Sequence, residues 1–138
     1  MCMKNRRSFL KRSLASLGFL SLPFFVKKSM AGEMKIVIGD SFIHHVYFWL
    51  KEPKNEKATK RFEEGLQLLV TVPEIKMYHI GKAVLSNRDV VDDSFTYSYM
   101  AVFNNKADQE TYQVHPTHLK FIEEYGDLWE KVVVYDAL

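Results

Sequence analysis

Cysteine is almost missing from this chain of 138 residues: the single one, Cys2, lies near the start. Beyond it a disulfide, a thiolate metal site and a cysteine nucleophile are all excluded. Glycine is sparse, at six residues, and forms neither a phosphate loop nor a dinucleotide fingerprint, so no nucleotide cofactor is expected. No H-E-x-x-H element or comparable ligand spacing occurs, so no functional metal is expected either. Acidic residues are wholly absent from positions 1–31, which hold seven basic ones. The remaining 107 residues carry twelve basic and seventeen acidic side chains, a net of −5. A domain so balanced lacks the positive footprint that a phosphate backbone requires, which excludes nucleic acid as a partner. A long apolar run is also lacking. The stretch from Leu14 to Val26 is broken by Gly18, Ser21 and Pro23, and falls short of the roughly 20 apolar residues that span a bilayer.

What the first 31 residues do contain is an address. Asn5-Arg6-Arg7-Ser8-Phe9-Leu10-Lys11 resembles the twin-arginine translocation signal, with Arg6 and Arg7 as the export motif. Ser29-Met30-Ala31 is a small-x-small cleavage site that places the mature start near Gly32. The resemblance implies the twin-arginine translocation machinery as a partner and a periplasmic or otherwise exported location. The alternatives are an uncut N-terminal anchor and a chance basic, apolar head. Twin-arginine substrates cross the membrane already folded, so the domain would fold in the cytoplasm first.

Hydrophobic residues make up 47% and aromatics 14% of the chain, enough for one globular domain over residues 32–138. From Ile36 to Lys51 the pattern alternates. His44, Val46, Phe48 and Leu50 share one face; His45, Tyr47 and Trp49 share the other. Asn55 is placed to cap a helix reaching about Val70, with Ala58, Phe62, Leu66 and Leu69 at helical spacing and Gly65 inside the stripe. Strands are predicted over Ile75–Leu85 and Phe95–Phe103, joined by the polar stretch Ser86–Ser94. A helical region from Ala107 to Tyr125 breaks at His115-Pro116, because a residue preceding proline avoids helical geometry, and Gly126 stops it. Trp129–Tyr135 is a last strand, with Val132 and Val134 facing one way and Val133 and Tyr135 the other.

The order is βαββαβ, the split arrangement of an α+β ferredoxin-like fold with a four-stranded antiparallel sheet covered by helices on one face. The other face would leave Tyr47 and Trp49 wet. A large apolar surface on a small domain marks an interface, and twofold pairing of sheet against sheet into a dimeric α/β barrel is the simplest cover.

Four segments, His44–Lys51, Phe95–Phe103, Tyr112-Gln113-Val114-His115-Pro116-Thr117-His118 and Trp129–Asp136, together resemble the stress-responsive α/β-barrel (Dabb) family across residues 40–136. The resemblance implies a homodimer of ferredoxin-like domains without a cofactor. One enzyme of that family is a polyketide cyclase working in a pocket between sheet and helices. Its working histidine corresponds to His118, its assisting tyrosine to Tyr112, a first-strand histidine to His44 and a terminal aspartate to Asp136. Two positions depart: Gly65 stands where the cyclase has a tyrosine, and Tyr97 where it has a histidine.

Read as chemistry, His118 with Tyr112 is the leading acid-base candidate, since imidazole exchanges protons near neutral pH. The plain alternative is that His115 and His118 brace the helix break by hydrogen bonds to the backbone. His44 lies on the face assigned to the helices, where a satisfied core histidine is the commoner case; Asp136 would orient it or close the C-terminus. Tyr97, Tyr99, Phe121 and Trp129 would wall a ligand pocket or simply fill the core. His45 and His79 read as structural or surface residues, and Asp92-Asp93 as a solvated loop. Three functions remain: a binder of a small aromatic or lipophilic molecule, a cofactor-free cyclase, lyase or isomerase with His118 as base, and a structural stress-associated dimer without ligand. A cavity of roughly 300 Å³ or more beside His118 would speak against the third.

Overall fold

The computed structural model describes residues 39–138; the expected leader, with Arg6 and Arg7, lies outside them. The order is β1 (Phe42–Leu50), α1 (Glu56–Leu69), β2 (Met77–Lys82), β3 (Tyr97–Phe103), α2 (Lys106–Gln113), α3 (Pro116–Tyr125) and β4 (Trp129–Ala137), with a single 3₁₀ turn at Gly126–Leu128. The four strands form one antiparallel sheet in the order β2-β3-β1-β4. This is the expected ferredoxin-like βαββαβ fold.

Local chemistry explains the boundaries. The Asn55 side chain accepts from the backbone N–H of Lys57 and Ala58 and starts α1. His115, held extended before Pro116, separates α2 from α3, and its Nδ1 accepts from the Thr117 N–H as the cap of the second helix. Gly126 ends α3 in ordinary right-handed geometry (φ −62°), so the stop does not depend on glycine's access to positive φ. The first three strands were expected too long, whereas β4 runs past the expected Tyr135 to Ala137. Residues 36–38 lie outside the described region, and Asp40, at φ 45°, turns the chain before β1. Strand β2 is confined to Met77–Lys82. Beyond it the Asp93 side chain accepts from the Ser86 N–H, while Asp92 accepts from the Ser94 N–H and hydroxyl, and these local bonds compete with a ladder.

The alternation of β1 survives as a strict burial pattern: Phe42, His44, Val46, Phe48 and Leu50 are buried, and the residues between them half-buried. Register carries the same face to β3, where Val46 pairs with Tyr99 and Phe48 with Tyr97, and to β4, where His44 pairs with Asp136. Helices α1 and α3 cover this face. Their junction is an aromatic cluster in which Phe62 meets Phe48 at 5.0 Å, Phe121 stacks on Trp129 at 5.5 Å, and Phe121 stacks on Tyr125 at 5.6 Å. Gly65 of α1 is where the helices touch: a Cβ there would lie 2.8 Å from Cγ of Tyr125 and 3.0 Å from Phe121. The departure at Gly65 thus has a packing reason, since the rings of α3 fill the space a side chain would need.

Candidate functional site

A cavity of about 200 Å³ lies between the sheet and α3. Three structural facts place its polar groups there. The β1 alternation turns His44 inward; the short helix α2 delivers Tyr112 at its last turn; and the break at His115-Pro116 lets the first turn of α3 present His118. The His118 and Tyr112 rings are 4.7 Å apart, and the Tyr112 and His44 rings 6.0 Å. Tyr99, Phe121 and Trp129 line the same space, with Val132 and Val134 at its margin on the edge strand β4. Both valines are nearly half exposed, so the cavity reaches solvent along that edge.

Each imidazole has one nitrogen committed. His118 Nδ1 is 3.0 Å from the Gln113 carbonyl. A carbonyl only accepts, so Nδ1 carries the proton and Nε2 keeps its lone pair. Burial holds the His118 imidazole below its ordinary value of 6.5, the Gln113 carbonyl pulls the other way, and His44 lowers it further. His118 is thus a neutral ring of fixed tautomer at pH 7. His44 Nδ1 donates to Asp136 Oδ1 at 2.7 Å across the β1–β4 pair, so that only its Nε2 remains uncommitted. The phenols are donors: burial pushes the Tyr99 hydroxyl up to about 12, and Tyr112 higher still.

Seven of the eight candidate residues converge here, six on the cavity wall and Asp136 behind His44. Tyr97 does not. Although buried, it points its hydroxyl away from His118, donating to Glu63 Oε1 at 2.6 Å, with Lys82 Nζ at 2.9 Å from the same oxygen. These groups line a larger open groove of about 820 Å³ between α1 and β2, where they already satisfy one another. Both helix-break histidines do brace the backbone, as the plain alternative held, but His118 also borders the cavity. His45 and His79 lie on the opposite face of the sheet, beside Met100, and Asp92 and Asp93 serve the loop. Gln113 escaped sequence reasoning altogether: its contribution is a backbone carbonyl, which any residue supplies, so no side-chain signal marked it. At about 200 Å³ the cavity falls short of the roughly 300 Å³ that was to speak against a structural dimer without ligand, so that criterion is not met. An engineered cavity of about 150 Å³ accepts benzene, however, so the volume is of the order that one ring requires.

A ferredoxin-like sheet with a histidine–tyrosine cavity under its helices defines the structural class. The family model "Stress responsive A/B Barrel Domain" matches residues 42–138, and the chain belongs to that family. Olivetolic acid cyclase of Cannabis sativa is 25% identical over 75 residues, which is 54% of this chain and 72% of the cyclase. Hydroxynitrile lyase from Passiflora edulis superposes with a TM-score of 0.62 at 24% identity, covering 71% of this chain and 92% of the lyase. A dimeric ferredoxin-like protein of unknown function from Thermobifida fusca superposes at 0.58 with 18% identity, covering 75% and 95%. At such identities the two structural likenesses establish the fold and no more.

Proposed function

We propose that the protein holds a small aromatic or lipophilic molecule in the cavity between sheet and helices, without a cofactor. One observation carries this: hydrophobic walls surround two imidazoles, each with Nδ1 committed to the protein and Nε2 without a hydrogen-bond partner among the described residues. His118 thus presents an acceptor nitrogen to whatever occupies these otherwise apolar walls. The mature domain is proposed to work as an exported homodimer, sent through the twin-arginine pathway by residues 1–31. The open face of the sheet, where Tyr47 makes edge contacts with Phe95 and with the exposed Tyr135, forms the pairing surface. Trp49 on that face is partly covered by its own chain: its Nε1–H donates to Ser94 at 3.1 Å, and Lys131 Nζ lies 4.0 Å above the ring.

The fixed tautomer of His118 favours a second reading, acid-base catalysis of the lyase or cyclase kind. Nε2 would take a proton from a carbon acid while Tyr112, its ring 4.7 Å from the imidazole, orients it. The relatives named as a cyclase and a lyase support this reading by likeness. The test compares wild type and His118→Ala with acetophenone, an enolisable single-ring ketone. NMR titration gives affinity, and exchange of its methyl protons in D₂O gives turnover. Binding without exchange in both proteins leaves a binder; exchange lost in the variant at equal affinity establishes the base. Absence of binding by wild type to acetophenone or any other single-ring compound, with nothing co-purifying, would leave only the structural dimer.

A further inference from the structure

Beyond the histidines, the cavity contains a hydrogen-bond donor with nowhere to go. Tyr99 of β3 and Tyr112 of α2 are each 1% exposed, and their hydroxyl oxygens are 3.5 Å apart. Two phenols bring two protons. Only one can lie between the oxygens, so one points elsewhere. Among the described residues neither hydroxyl bonds to His44 or His118, whose Nδ1 atoms are taken by Asp136 and the Gln113 carbonyl. With Tyr112 donating across that contact, the proton left over is that of Tyr99, and the ladder offers it no other acceptor. Its neighbour across β1 is Val46 and across β2 is Ile80, neither of which offers a side-chain acceptor, and Tyr112 is the donor of the shared contact. Tyr97, two residues along on the same face, has Glu63 for its hydroxyl. Tyr99 has no equivalent.

We infer that Tyr99 is a specificity-determining residue, whose hydroxyl donates to a carbonyl-type acceptor oxygen on a single-ring occupant of the cavity. The inference rests on the cavity being the ligand site. The recognition pattern is then complementary on both sides: one donor from Tyr99 for the ligand's oxygen, and the His118 Nε2 acceptor for a hydroxyl or acidic C–H hydrogen elsewhere on the same small molecule. Apolar compounds of equal shape are discriminated against because they leave the buried Tyr99 hydroxyl without an acceptor for its proton. The residue acts on affinity for oxygenated rings and does not itself move a proton, since burial keeps its phenol intact.

The test uses acetophenone and α-methylstyrene, which differ in replacing a carbonyl oxygen by a methylene, titrated into the full chain and into Tyr99→Phe by NMR. Wild type should prefer acetophenone by roughly five- to twentyfold, the range of one neutral hydrogen bond in a desolvated site. In Tyr99→Phe the preference should collapse to about unity, with α-methylstyrene affinity unchanged or improved. An unaltered thermal midpoint would show that removing one oxygen left the fold intact. Preference retained in Tyr99→Phe overturns the inference and leaves the cavity as ligand site. Equal affinities in wild type also overturn it, because a water then satisfies the hydroxyl. Failure of both compounds to bind wild type overturns the ligand-site reading as well.

Discussion

Replacing Gly65 with alanine sets two magnitudes against each other. Glycine within a helix is about 1 kcal/mol worse than alanine, so propensity alone predicts that Gly65→Ala stabilises α1. Packing predicts the opposite. The added methyl would sit 2.8 and 2.9 Å from Cγ and Cδ1 of Tyr125 and 3.0 Å from Phe121. Cγ is the ring atom nearest the backbone, so no rotation of the Tyr125 ring about its own axis relieves the overlap; α3 must retreat or Tyr125 must leave its stack on Phe121 and its place under Arg61. Overpacking of this kind costs about 1–3 kcal/mol, which outweighs the helical gain. The net expectation is a destabilisation of about 1 kcal/mol, a thermal midpoint about 4–8 °C lower for a domain of this size. Urea denaturation should show a lower midpoint at unchanged slope. Gly126→Ala is the matched control. A Cβ there meets only Trp129 at an ordinary 3.7 Å, on a backbone at φ −62°, and should be neutral or mildly stabilising. Because α3 also carries His118, Gly65→Ala should perturb ligand binding too, and Gly126→Ala should not. A Gly65→Ala protein as stable as wild type, or more so, would refute the close α1–α3 contact on which the cavity wall depends.

Other perturbations probe the remaining parts. Burial holds the His118 and His45 imidazoles below 6.5, so the unfolded chain takes up protons before the folded one does. The stability these neutral rings allow is complete above about pH 6.5 and falls as pH drops from there through their folded values; urea titrations at pH 7.5 and 5.5 should show His118→Gln losing less stability than wild type. Phe121→Ala, which removes a buried ring stacked on both Tyr125 and Trp129, should cost about 3–5 kcal/mol, and a loss under 1 kcal/mol by urea denaturation would contradict the core assignment. Asp136→Ala should free His44 Nδ1, visible as a loss of the single-tautomer imidazole ¹⁵N shifts, while unchanged shifts would mean Asp136 does not orient the ring. Tyr135→Glu should convert a dimer to monomer in sedimentation velocity at micromolar concentration, because sheet pairing would bury two carboxylates without partners; a variant that remains dimeric would move the interface off this face.

The amino-acid pattern alone determined the topology, because each element announces itself through short-range physics. The alternation of β1, the Asn55 cap, the constraint Pro116 places on His115 and the β4 valines are all local, and the observed order and facing follow from them. The residues of the cavity were legible for a second reason: strand alternation and the helix break fix which side chains turn inward, whatever the details of packing. Only the tertiary structure decided what those side chains meet. That Tyr97 turns to Glu63 while Tyr99 turns to Tyr112, that His44 finds Asp136 ninety-two residues away, and that a backbone carbonyl sets the His118 tautomer all depend on the registers of separate strands and on how closely α3 approaches α1 at Gly65. Partner choice is a matter of a few tenths of an ångström between elements distant in the chain, and residue periodicity carries no information at that scale.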